Sequence, residues 1–142
     1  MLLFDQKEFE LMHFQIDKRI FQKYKVKLAY LFGSQAKGTP AKESDFDIAV
    51  LFNKNPSDPL ARKEITFLSL ELSKFFPAEV DVVSLNDASS LLKYEAISGR
   101  KVLYCKNEKE RINFEVAVLK EYIDDQFTRD IYFQALADSM RV

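Results

Sequence analysis

Four short apolar runs constrain the fold of this 142-residue chain more than any other feature. Each is strand-length and rich in strand-forming residues, at 25–32, 45–52, 78–85 and 101–105. The stretches around them carry apolar residues at helical spacing, which predicts helices over 5–24, 58–75, 87–98 and 107–137. The order α, β, β, α, β, α, β, α predicts an α/β (α+β) protein with a small mixed β-sheet flanked by helices.

The helix boundaries follow from local signals. Ser57 or Asp58 is placed to cap the second helix, Asp87 to begin the third, and Gly99 to end it. The last helix is open to a break in the region of Asp124 and Asp125. These signals predict the elements better than they predict the exact residues at which the elements end.

Length and composition indicate a single globular domain. One core suits a chain of this length, so we expect one domain over 1–142, with a core of about 10–105 and a C-terminal helical extension of about 107–140. Hydrophobic residues make up 47% and charged residues 30%, which is an ordinary globular composition. The net charge of −1 lacks the basic excess of a general nucleic-acid binder, so we expect no direct nucleic-acid binding.

The same sequence argues against a membrane or secreted protein. No apolar run approaches the roughly 18–20 residues that a membrane helix needs. The first ten residues turn acidic at once and lack the basic region of a secretory signal. Cys105 is the single cysteine, so no internal disulfide forms, and we expect a cytoplasmic protein.

The last predicted helix carries more apolar surface than so small a core needs. Its large apolar residues are Phe114, Val118, Tyr122, Phe127, Ile131 and Phe133. One interpretation is packing against the sheet. The other is a docking surface for a partner or for a second copy, which would make the protein a homo-oligomer.

Two of the predicted strands carry carboxylates on one face. Because side chains alternate along a strand, Asp45 and Asp47 share the face opposite to Phe46 and Ile48. Asp81 takes the corresponding place in the third strand, and it joins the pair if the two strands are neighbours. Like charges held this close need a cation, and Mg²⁺ prefers oxygen ligands. Three carboxylates would hold two Mg²⁺ ions roughly 4 Å apart, an arrangement used for phosphoryl or nucleotidyl transfer.

The turn before the acidic strand is suited to phosphate. Gly33 lets the backbone approach a ligand closely, and Ser34 offers a hydroxyl and a backbone N–H. Lys37 is placed to neutralise a phosphate oxygen. These three residues are the predicted nucleotide-binding residues, and Asp45, Asp47 and Asp81 are the predicted catalytic and metal-binding residues.

The segment GSQAKGTPAKESDFDIAV (33–50) resembles the motif of nucleotidyltransferases, in which Gly-Ser is followed after about ten residues by Asp-x-Asp. On this motif the chain resembles the minimal nucleotidyltransferases (MNT proteins) of the DNA polymerase β superfamily, over about residues 10–105. The resemblance implies the nucleotidyltransferase fold, a phosphate contact for Ser34, and a metal-binding triad of Asp45, Asp47 and Asp81. Lys37 departs from the arginine of many members, keeping the charge and losing the forked geometry.

The resemblance also implies a function. Many such small proteins are antitoxins that transfer AMP from ATP to a tyrosine of a cognate HEPN-type ribonuclease toxin, so ATP is the expected substrate and the toxin the expected partner. Two alternatives stay open on the sequence. One is nucleotidyl transfer to a small molecule such as an aminoglycoside, and the other is a non-catalytic antitoxin that acts by binding alone.

Overall fold

The computed structural model describes residues 16–33, 46–53, 59–99 and 101–141. The elements in chain order are α1 (Arg19–Lys23), β1 (Val26–Phe32), β2 (Phe46–Phe52), α2 (Pro59–Ser73), β3 (Val80–Ser84), α3 (Ser90–Ser98), β4 (Val102–Cys105) and α4 (Glu108–Ser139). This confirms the predicted order of helices and strands. Of the predicted opening helix (5–24), residues 16–18 are described and are not helical, so the helix there is limited to Arg19–Lys23. The segment 5–15 lies outside the described residues, as do Ser57 and Asp58.

The four strands form one mixed sheet in the order β3-β2-β1-β4. β1 pairs antiparallel with both β2 and β4, and β2 pairs parallel with β3. A parallel pair needs a crossover connection, which α2 supplies between β2 and β3. The sheet is therefore mixed because a single helical crossover interrupts an otherwise antiparallel arrangement.

The helices cover the two faces of this sheet separately. On one face, here called the α2 face, Ile48 and Val50 pack with Leu68 and Leu72 of α2 and with Phe21 of α1. On the other, here called the α4 face, the cluster joins strand residues to α3 and α4; its buried members are Leu28, Tyr30, Phe32, Ala49, Leu85, Ala96, Ile97 and Val118. Alternation along β1 and β2 therefore sends successive side chains into two different cores.

Two predicted details of the helices are wrong. The third helix is capped by Ser89, whose side chain accepts a hydrogen bond from Leu92 N at 3.2 Å, and not by Asp87. The last helix is not broken near Asp124 and Asp125; it is continuous to Ser139. Asp125 is tolerated inside the helix because its Oδ2 accepts a hydrogen bond from Ser90 Oγ at 2.5 Å.

The long helix α4 divides into two parts by its contacts. Its first part packs on the domain through Val118, which is 2% exposed, and through Tyr122, which stacks on Tyr94 at 4.0 Å between ring centroids. Further along, Phe127 and Phe133 are 67% and 57% exposed. Packing against the sheet domain is therefore confirmed for the first part of α4, and docking of a partner or a second copy stays a prediction. Within the described ranges no helix has the length and apolarity to cross a bilayer.

Candidate functional site

Two carboxylates lie side by side on the α4 face of the sheet. In the parallel pairing of β2 and β3, Asp47 is the direct partner of Asp81. Direct partners point to the same face from strands about 5 Å apart. Asp47 is half-buried and Asp81 is exposed. The expectation that these strands are neighbours is confirmed, and both carboxylates can reach one cation between them.

A glycine turn makes the space that Asp47 occupies. Phe32, at the end of β1, pairs with Asp47, so Gly33 follows directly beside that carboxylate. Gly33 has φ +80°, in the left-handed region that favours glycine. A Cβ at this position would lie 2.4 Å from Asp47 Oδ2 and 3.2 Å from its Cγ. Backbone conformation and space both require glycine here, so the turn and the carboxylate form one unit.

The other predicted site residues lie outside the described residues. These are Ser34, Lys37 and Asp45. Within the described ranges no three His, Cys, Asp or Glu side chains come close enough to hold a metal ion together. The donor set that is described consists of two aspartates, which are hard oxygen ligands of the kind Mg²⁺ takes. It fits a divalent cation to which further ligands are supplied by the rest of the site or by a substrate.

A charged network, which the sequence did not predict, lies under α4 on the same face. Tyr30 donates its hydroxyl to Glu115 Oε2 at 3.0 Å, and Arg111 Nη1 lies 2.6 Å from the same oxygen. Arg111 also reaches Glu108 Oε2 through Nη2 at 2.7 Å. The sequence does contain one indication of this network. Glu108, Arg111 and Glu115 are spaced three and four residues apart, which puts the three on one side of a helix. Only the structure shows that this side faces a buried tyrosine.

The network shifts the ionisation of its members. Burial, followed by the nearby Glu115 charge, raises the pKa of the Tyr30 hydroxyl well above its ordinary range. The hydrogen bond from Arg111 lowers the pKa of the Glu108 carboxyl. Burial raises the pKa of the Cys105 thiol, which agrees with a packing role for this residue. Tyr30 therefore stays a neutral donor, and the Glu108 carboxylate stays ionised beside Arg111.

A cavity opens on the α4 face near the start of α4. Its volume is about 330 Å³, and its lining includes Leu28, Leu51, Asn113 and Phe114. Leu28 pairs with Leu51 toward the end of β2, whereas Asp47 pairs with Phe32 near its beginning. The cavity is therefore separate from the carboxylate pair along the strand.

A mixed sheet with a glycine turn beside paired carboxylates is compatible with enzymes that transfer phosphate-containing groups with the help of divalent cations. The family model described as "Polymerase beta, Nucleotidyltransferase" matches residues 15–109. The chain belongs to this nucleotidyltransferase family.

Individual proteins similar to this chain are known from both sequence and structure. The chain is 34% identical to the protein adenylyltransferase MntA of Shewanella oneidensis over 82% of this chain and 77% of the relative. It is 26% identical, with a TM-score of 0.64, to a chain from a crystal structure of a toxin–antitoxin with AMP-PNP, covering 94% of this chain and 99% of the solved one. A third match, at 26% identity and a TM-score of 0.63, comes from tri-AMPylated Shewanella oneidensis HEPN toxin in complex with MNT antitoxin and covers 91% of this chain and 98% of the solved chain.

Proposed function

We propose that this protein is a Mg²⁺-dependent protein adenylyltransferase that transfers AMP from ATP to a tyrosine of a cognate HEPN-type toxin and so acts as its antitoxin. The observation that carries the proposal is the direct pairing of Asp47 with Asp81 beside the left-handed turn at Gly33. The similar proteins support a protein acceptor and an adenine nucleotide. One is a protein adenylyltransferase, one was solved with AMP-PNP, and one was solved in complex with an AMPylated toxin.

The proposed roles divide between metal and phosphate. Asp45, Asp47 and Asp81 would hold two Mg²⁺ ions, which would neutralise the triphosphate and make the attacking hydroxyl more acidic. The backbone at Gly33 and Ser34 and the side chain of Lys37 bind the phosphates. The family motif supports the roles of Ser34, Lys37 and Asp45.

The transfer itself is a displacement at the α-phosphorus of ATP. The tyrosine oxygen forms a bond to that phosphorus, the bond to the β-phosphate bridging oxygen breaks, and pyrophosphate leaves. The hydroxyl proton needs an acceptor near the attacking oxygen. Asp81 is suited to take it because it is exposed and lies on β3, at one edge of the described sheet, where a large acceptor protein can approach.

A labelling experiment tests the proposal. The protein is incubated with Mg²⁺, ATP labelled at the α-phosphate and the toxin encoded beside it. We expect label on a toxin tyrosine, release of pyrophosphate and loss of toxin ribonuclease activity. Asp47→Asn should abolish all three. Glu64→Gln, a change of an exposed carboxylate on α2, should leave them intact.

Two outcomes would contradict the proposal. Label that stays off the toxin but appears on small hydroxylated amines would assign the enzyme to small-molecule transfer. An Asp45→Asn/Asp47→Asn double variant that neutralises the toxin as well as the wild type would show that binding alone is sufficient.

A further inference from the structure

A continuous apolar stripe runs along the solvent side of α4. It consists of five residues, here called the outer seam: Ile112 (52% exposed), Val116 (45%), Leu119 (43%), Ile123 (61%) and Phe127 (67%). They recur at intervals of three or four residues, so they lie on one side of the helix. Apolar residues scattered singly on a surface need no explanation, but a continuous stripe of this kind marks an interaction site.

The outer seam is distinct from the side on which α4 packs. Val118 and Tyr122 face the domain, and at 100° per residue their side lies roughly 120° around the helix from the seam. From Ile112 to Phe127 the seam is about 22 Å long. This length and spacing fit the side-by-side packing of a second helix.

We propose that the outer seam binds the outer seam of a second copy of this chain, with the two helices antiparallel about a two-fold axis between residues 119 and 120. In this register Ile112 of one copy faces Phe127 of the other, and Val116 faces Ile123. Leu119 lies next to its own counterpart at the axis. All five seam residues are used, and a two-fold contact closes after two copies.

The charges beside the seam favour this register. Lys109 of one copy comes opposite Asp130 of the other, and two-fold symmetry makes the pair twice. Both residues are exposed, and the ion pairs described along α4 engage other side chains. Lys120 falls near its counterpart at the axis, a repulsion between exposed charges that salt screens. Exposed pairs are weak, so these charges select the register and the apolar seam supplies the affinity.

A helix of another protein would also cover an apolar seam. The symmetry of the five seam positions about their midpoint and the match of Lys109 with Asp130 favour self-association. One pair of helices buries less than a standard interface, so we expect a dissociation constant in the micromolar range. The proposal does not depend on the adenylyltransferase function, because self-association is measured on this chain without substrate or toxin.

Disulfide trapping tests the register. In a Cys105→Ser background, Leu119→Cys should form a homodimeric disulfide, because the two Cα atoms lie within about 7 Å near the axis. Ile112→Cys and Phe127→Cys should cross-link with each other when mixed and react much less alone. Phe67→Cys, 56% exposed on α2, is the matched control and should stay monomeric. Cross-linking of Ile112→Cys with Ile123→Cys in place of Phe127→Cys would overturn the register.

Sedimentation equilibrium tests the association itself. The wild type should convert from monomer to dimer between about 1 μM and 1 mM. Ile123→Glu should raise the dissociation constant at least tenfold, Phe67→Glu should leave it unchanged, and circular dichroism should show both variants folded. A wild type that stays monomeric up to about 1 mM overturns the proposal. So does an Ile123→Glu variant that loses affinity for the toxin without any change in self-association, because the seam would then belong to the toxin.

Discussion

The two faces of the sheet take side chains from the same strands but differ in the kind of side chain they carry. On the α2 face Phe46, Ile48 and Val50 enter a cluster made of apolar and aromatic side chains. On the α4 face the residues between them are Asp47 and Ala49, and Tyr30 of the neighbouring strand is tied to a charged pair on α4. Because successive side chains of a strand point to opposite faces, one strand can supply apolar residues to a core and polar residues to a site. Stability should therefore depend most on the α2 face and activity most on the α4 face.

The largest expected effect concerns activity and the α4 face. Asp81→Asn should lower the rate of adenylyl transfer by about 10³-fold, or about 4 kcal/mol of transition-state stabilisation, because it removes one of the two described carboxylates that we propose to hold Mg²⁺. Asp81 is exposed, so the free energy of unfolding should change by less than about 0.5 kcal/mol. Initial rates and chemical denaturation measure the two quantities. Glu95→Gln, an exposed carboxylate on α3, is the control. An equal loss of stability and activity would remove the distinction between the faces.

A substitution in the core of the α2 face should have the opposite pattern, with a loss of stability and little loss of activity. Leu68→Ala should lower the free energy of unfolding by about 3 kcal/mol, because a fully buried leucine leaves a cavity. Activity well below the melting temperature should stay within about twofold of the wild type. Leu70→Ala is the matched control, because Leu70 lies on the same helix and is 61% exposed. Should Leu68→Ala abolish transfer while the protein remains folded, the α2 face would be part of the site.

Gly33→Ala tests how closely the turn and the carboxylate are joined. The added Cβ would lie 2.4 Å from Asp47 Oδ2 at a φ of +80°, so Asp47 must move. We expect a rate about 10²-fold lower and a loss of about 1–2 kcal/mol of stability from backbone strain. Gly99→Ala is the control, since it has φ −74° and no atom within 4 Å of the new Cβ. Transfer rates and melting temperatures are measured for both variants. Equal losses in Gly33→Ala and Gly99→Ala would refute a special role for Gly33.

Local sequence patterns predicted the strands, and their alternation predicted which face each residue takes. The adjacency of β2 and β3 was an inference from alternation and from the acidic residues, and the observed pairing of Asp47 with Asp81 confirms it. The cap at Ser89 and the continuity of α4 through Asp125 depend on which polar group finds a partner in three dimensions. The bond between Tyr30 and Glu115 joins residues 85 positions apart, so no local pattern indicates it. Tertiary contacts of this kind decide what sequence spacing leaves open.

The smallest effect compares two buried tyrosines, one on each face. Tyr30→Phe removes the donor to Glu115 and should cost about 1 kcal/mol, whereas Tyr104→Phe on the α2 face removes a hydroxyl that has no hydrogen-bond partner among the described residues and should cost less than half of that. Burial raises the pKa of Tyr30 above its unfolded value near 10, so its contribution is complete below pH 10 and declines only as the pH rises further. Urea denaturation at pH 7 and pH 9 should therefore give the same difference between wild type and Tyr30→Phe. A difference that shrinks between these two pH values would show that Tyr30 already ionises there, and the α4 face would then not hold it as a neutral donor.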